Sequence, residues 1–167
     1  MHKDLYRVFY FVDCFNKEEL NKLNKKVSII YRNYKKKIDI FEIEKIANFC
    51  KKSKAKLIHI SSTSVYGKQA KIVDEENKAY LKPQSPYADI KLIEEKMLKR
   101  EGKLLNYNTF RFGTIAGVSK GIRFHTAVNK FCFNAATNES IHVYKTALNQ
   151  YRPYLSLRDA FKVFTFS

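Results

Sequence analysis

The chain has 167 residues, 45% of them apolar, and a formal net charge of +16; that suffices for one domain with a buried core and excludes a disordered tail. Lys far outnumbers Arg and is spread in short clusters such as Lys35-Lys36-Lys37 and Lys51-Lys52, amid abundant Asn, Ile, Tyr and Phe, so the charge reads as compositional bias rather than as a nucleic-acid surface. Cys14, Cys50 and Cys132, with His2, His59, His125 and His142, are scattered without metal-ligand spacing; reduced thiols, no metal, no signal peptide and no apolar run near the roughly 20 residues of a membrane span make the cytoplasm the default location.

In chain order, LYRVFYFV (Leu5–Val12) is β-branched and aromatic and predicts a buried strand. NKEELNKLNKK (Asn16–Lys26) is polar and predicts a short helix or loop. In Ile38–Lys54, Ile43, Ile46, Ala47 and Cys50 recur at three- and four-residue intervals between Lys and Glu, the pattern of an amphipathic helix. KLIHIS (Lys56–Ser61) is a short strand with His59 as a packed core residue, followed by a Ser/Thr/Gly turn.

SPYADIKLIEEKMLKREG carries both boundaries of a helix, with Ser85 as N-cap, Pro86 at the first helical position, and a basic last turn before Gly102. YNTFRFG (Tyr107–Gly113) predicts a strand, then a loop to Gly121, a helix over Ile122–Thr137, a strand IHVYK (Ile141–Lys145) and a helix starting at RDAFKVF. Phe9, Phe11 and Phe131 are expected in the core, as is Cys132 as a small buried hydrophobe. Alternating strands and helices predict an α/β domain with a mostly parallel sheet.

Tyr87 and Lys91 lie four residues apart, so a helix places them on one face. A free phenol ionises near ~10, and an adjacent ammonium favours the phenolate; reaching neutrality requires about 4 kcal/mol of differential interaction. Ser62, at the end of the preceding strand, is placed to hydrogen-bond a reacting hydroxyl and share its proton. A Tyr-x-x-x-Lys match alone says little in a chain with 11 Tyr and more Lys. Its setting says more: ISSTSVYG (Ile60–Gly67), the acidic pair Glu75-Glu76, and PQSPYADIKLIEE (Pro83–Glu95) follow one another.

In these motifs the sequence resembles the extended short-chain dehydrogenases/reductases, specifically the NAD-dependent sugar-nucleotide epimerases and dehydratases. Their signature is a strand ending S-S-x-S-V-Y-G, an acidic loop, and S-P-Y-x-x-x-K with a Glu soon after. RFGTIAG (Arg111–Gly117) resembles their R-x-x-N-x-x-G segment with Thr114 in place of Asn, and RPYLSLRDA (Arg152–Ala160) resembles R-x-Y-x-x-V-x-D-x-A. The likeness is strongest from about Lys56 to Phe164.

The resemblance implies a Rossmann-like doubly wound sheet and catalytic positions Ser62, Tyr87 and Lys91. It implies cofactor contacts from Ser61, Tyr87 and Lys91, and substrate contacts from Ser62, Thr63, Thr114 and Arg152, the last at a diphosphate. The cofactor implied is NAD or NADP, whose nicotinamide helps acidify the tyrosine and accepts hydride, and the substrate is a nucleotide sugar. Thr63 and Ser64 stand where the 4,6-dehydratases carry an Asp-Glu pair, so epimerase or reductase chemistry is preferred.

One feature departs from the family. Its glycine-rich turn, needed because a side chain blocks close approach to the pyrophosphate, is absent, for the first glycine is Gly67. The expectation is a single partial domain over 1–167, missing its first βα units, with the substrate-binding lobe beginning at 118. Negligible NAD affinity follows, together with association through the Pro86–Glu101 helix as a homodimer or with a complementary fragment. A non-catalytic binding or regulatory protein of this fold is the alternative reading; a basic nucleic-acid-binding domain rests on charge alone.

Overall fold

The computed structural model describes residues 8–23, 27–32, 41–68 and 72–166. VFYFV forms strand β1 (Val8–Val12), and KEELN forms a short helix α1 (Lys17–Asn21) whose N-cap Asn16 accepts from the Glu19 amide. Parts of three expected elements, 5–7, 24–26 and 38–40, lie outside the described residues. Strand β2 (Val27–Tyr31) has no counterpart among the expected elements, although VSIIY carries the β-branched composition of a buried strand.

Helix α2 (Phe41–Ser53) buries Ile43, Ile46, Ala47 and Cys50, the face its periodicity predicts. Burial pushes the Cys50 thiol up to about 12, so it packs as a hydrophobe. Strand β3 (Leu57–Ser62) runs into a 3-10 turn (Thr63–Tyr66) that ends at Gly67. There φ is 63°, and a Cβ would lie 2.1 Å from the Lys82 carbonyl oxygen, so only glycine fits the close approach. Helix α3 (Pro86–Glu101) starts where expected: Ser85 Oγ accepts from the Ala88 amide, Pro86 opens the first turn, and Gly102 follows at φ 58°. Strand β4 (Tyr107–Phe112) comes next.

These strands form one sheet in the order β1-β2-β3-β4, with β1–β2 and β2–β3 parallel. Tyr31 pairs with His59 in register. Helices α2 and α3 pack against each other and against β2 and β3 respectively. A core of Leu20, Ile29, Tyr31, Ile43, Ile46, Leu57 and Leu98 joins helices and sheet, each aliphatic side chain contributing about 1.5–3 kcal/mol by burial. The fold is α/β and Rossmann-like, as predicted.

The chain divides into two compact units, Met1–Arg111 and Phe112–Phe166. In the second, strand β5 (Thr114–Ala116) pairs in parallel with β6 (Tyr154–Ser156), beside helices α4 (Ala127–Ala136) and α5 (Leu157–Phe166). Three expectations fail here. The helix over Ile122–Thr137 begins only at Ala127, because 122–126 form turns. Ile141–Lys145 is not a strand: β5 takes Tyr154–Ser156 as its partner, and Ile141, Val143 and Tyr144 are exposed. Cys132 is exposed on α4 rather than buried. In the first unit Phe11 is 52% exposed, contrary to the expected core position, whereas Phe9 and Phe131 are half-buried.

Candidate active site

Parallel α/β sheets collect functional groups at the carboxyl ends of their strands. At the end of β3, Ser62 caps the 3-10 turn, its Oγ accepting from the Ser64 amide (3.2 Å) and the Ser64 hydroxyl (2.9 Å). Both bonds are made to the oxygen, which leaves the Ser62 hydroxyl hydrogen able to donate to a ligand. Thr63 opens the turn and is half-buried. Helix α3 packs on β3 and on this turn, bringing the helix that carries Tyr87 and Lys91 to the strand end that carries Ser62.

Tyr87, in the first turn of α3, is 39% exposed, and the Lys91 ammonium lies 5.9 Å from its ring centroid. The shared helix face predicted from spacing is therefore present. Lys91 itself is 2% exposed. Its Nζ donates to Glu94 Oε2 at 2.9 Å, and the same oxygen lies 3.0 Å from His59 Nε2. Burial alone would raise the Glu94 carboxyl. The His59 hydrogen bond and the Lys91 charge outweigh it and hold Glu94 below the ordinary carboxylate range. Burial lowers His59, against the pull of Glu94.

The next residue builds a second network. Glu95 receives Arg111 at both oxygens, Nε to Oε1 at 2.9 Å and Nη2 to Oε2 at 2.6 Å, the bidentate geometry that makes such pairs strong. Ser61, 2% exposed, donates to Glu95 Oε1 at 2.5 Å. Arg111 Nη1 also donates to the Tyr66 hydroxyl (2.8 Å) and to the Glu75 carbonyl (3.2 Å). Burial raises Glu95, but the bonds from Arg111 and Ser61 more than reverse it. The Glu95 hydrogen bond raises Arg111, so the guanidinium stays charged. One arginine thus ties β4 to α3, to the turn after β3 and to the acidic loop.

Sequence reading did not assign roles to Glu94, Glu95 or Arg111. The signal was available for the two carboxylates, because three and four residues beyond Lys91 a helix returns to the same side. Thr114 and Arg152 belong to the second unit. There the Thr114 amide donates to Pro153 (3.0 Å), and exposed Arg152 donates to Gln150 Oε1 (3.0 Å).

The model of the NAD-dependent epimerase/dehydratase family matches residues 19–167. The chain belongs to this family. No curated protein matches the sequence. Among solved structures it is similar to the UDP-N-acetylglucosamine 4-epimerase of Methanobrevibacter ruminantium in complex with UDP-N-acetylmuramic acid (21% identity, 91% of this chain and 56% of that one, TM-score 0.71). It is also similar to an NAD-dependent NDP-hexosamine 5,6-dehydratase of tunicamycin biosynthesis (18% identity, 95% and 62%, TM-score 0.70). A third is the UDP-glucuronic acid 4-epimerase of Bacillus cereus with NAD and a fluorinated UDP-sugar (19%, 88% and 51%, TM-score 0.68). The chain thus spans 51% to 62% of these structures' lengths, and they support the fold.

The family implies a nicotinamide dinucleotide. Its pyrophosphate would need free amides and a positive helix end at a turn after a strand. In the β1–α1 turn the Phe15 amide is taken by Glu42 Oε2 (2.5 Å) and the Glu19 amide by Asn16 Oδ1 (3.3 Å). Glu18 and Glu19 place two carboxylates in the first turn of a five-residue helix. These residues do not fit a pyrophosphate.

Proposed function

We propose that the chain carries the acid–base site of a sugar-nucleotide epimerase-type oxidoreductase/isomerase. Tyr87 Oη takes and returns the proton of a sugar hydroxyl, Ser62 Oγ hydrogen-bonds that hydroxyl, and Lys91 supplies the nearby positive charge. The observation that carries this reading is the Tyr87–Lys91 arrangement, 5.9 Å ring to ammonium, on a capped helix packed against the β3 end. Thr63 and Ser64 carry no carboxylate, which favours epimerase or reductase chemistry over elimination by an Asp-Glu pair. Thr114 and Arg152 are the proposed substrate contacts of the second unit. The substrate class is a uridine-diphosphate sugar, the kind bound in similar structures.

The test is conversion of UDP-hexoses and UDP-hexuronates followed by NMR with NAD supplied at high concentration. Turnover is expected to fall about 10²–10⁴-fold in Tyr87→Phe, the span typical of lost general acid–base catalysis. Wild-type turnover that survives Tyr87→Phe overturns the assignment. A second reading, a non-catalytic binding protein of this fold, is favoured by the acidic first turn of α1, beside which the Phe15 and Glu19 amides are already hydrogen-bonded. Absence of turnover on every sugar, with sugar nucleotide still bound in calorimetry, would select it.

A further inference from the structure

We infer that Glu94 and His59 are positioning residues for Lys91, forming a buried seat that holds the ammonium beneath Tyr87 and away from the protein surface. All three are at most 2% exposed, and they come from two elements, β3 and α3. Glu94 Oε2 is shared by Lys91 Nζ at 2.9 Å and His59 Nε2 at 3.0 Å.

The chemistry of the donors fixes the rest. An ionised carboxylate only accepts hydrogen bonds, so His59 Nε2 carries the ring hydrogen and donates. His59 Nδ1 is then an acceptor, and Thr109 Oγ1 on β4, 3.3 Å away, donates to it. Charged neighbours agree: His59 feels Glu94, Lys91 and Glu95 from α3, and neutral Tyr31 from β2 stacks on it with centroids 6.3 Å apart. The Tyr31 ring also lies 5.9 Å from Lys91 Nζ, within cation–π range. With neutral His59, Lys91 and Glu94 form an ion pair, so Tyr87 faces a partly compensated ammonium rather than a bare cation.

The seat has a functional consequence. Lys91 reaches a ligand beside Tyr87 only by sharing or leaving Glu94, which makes Glu94 the group that sets how available the catalytic amine is. That consequence rests on reading Tyr87 and Lys91 as the reacting pair; the seat itself does not.

Competitive acetylation of the folded chain with acetic anhydride, read by peptide mass mapping, tests the seat without cofactor or substrate. A failure of the enzymatic reading therefore leaves this result standing, and the reverse also holds. Exposed Lys96 on the same helix is the reference. Lys91 is expected to react at least about tenfold more slowly than Lys96, the scale of a modest local opening. Glu94→Gln should erase most of that protection, and Glu94→Asp should restore part of it. Lys91 reacting like Lys96 in the wild type, or protection unchanged in Glu94→Gln, overturns the proposal. Should Glu94→Gln fail to fold, NMR of the wild type with isotope-labelled histidine decides. A hydrogen on Nε2 of His59 is expected, and one on Nδ1 overturns the seat.

Discussion

Two strand–helix junctions of the same sheet handle acidic residues in opposite ways. Around α3, adjacent carboxylates each meet a cation and a second donor: Glu94 meets Lys91 and His59, and Glu95 meets Arg111 and Ser61. At α1, Glu18 and Glu19 are exposed in the first turn, and Glu19 is spent on the Tyr10 hydroxyl at 2.6 Å. The first junction is pre-organised around charge, whereas the second offers no cradle for a ligand's charge.

The largest break in that contrast should come from Glu95→Ala. Removing one partner of a mostly buried, bidentate pair leaves Arg111 uncompensated and Ser61 without its acceptor, at a cost of about 3 kcal/mol. The side chains of Arg111 and Glu95 are only 22% and 12% exposed, so solvent replaces little of the loss. Urea denaturation should report it as a lower midpoint with an unchanged slope. A loss below ~1 kcal/mol would mean the network behaves as a surface pair.

A smaller effect is expected from pH, and its sign follows from His59. The folded pKa of this buried imidazole is lowered, mainly by desolvation. Above about 6.5, the unfolded value, neither state takes the proton and His59 costs nothing. Below it the unfolded chain binds a proton that the folded chain does not, so stability falls by up to about 1.4 kcal/mol per pH unit. Glu94 and Glu95 have lowered folded values; their contribution is complete above about 4.3 and is lost as pH falls through those values. Stability measured from pH 7 to 5 should therefore decline, and His59→Gln should flatten that decline. An equal decline in both proteins would place the titrating group elsewhere.

Much of the first junction was legible in the sequence because local rules govern it. Ser85, Pro86 and Gly102 bound α3 by capping chemistry that depends on a few neighbouring residues. Periodicity likewise predicted the buried face of α2. His59 reads as core from its place in an apolar strand, but its partner Glu94 lies 35 residues away, and only the packing of α3 on β3 joins them. The same limit explains the failures. Ile141–Lys145 has strand composition, but the segment that pairs with β5 is Tyr154–Ser156, brought alongside it by the fold rather than by local composition. Phe11 and Cys132 are apolar in type yet exposed, because burial depends on what packs above them.

The smallest effect, and the one that most sharpens the comparison, is expected at α1. If the carboxylates of Glu18 and Glu19 alone kept a dinucleotide away, Glu18→Gln with Glu19→Gln would create affinity. The geometry argues otherwise, because the Phe15 and Glu19 amides are already hydrogen-bonded, and five residues of helix present few aligned dipoles. Relieving two exposed charges changes the local field by about 1 kcal/mol or less in water at physiological salt. Calorimetric titration with NAD should find wild type and double variant within about tenfold of each other. It should find neither in the micromolar range. Micromolar binding by the wild type would mean that the dinucleotide's phosphates are held elsewhere on the chain, and the contrast between the two junctions would lose its meaning.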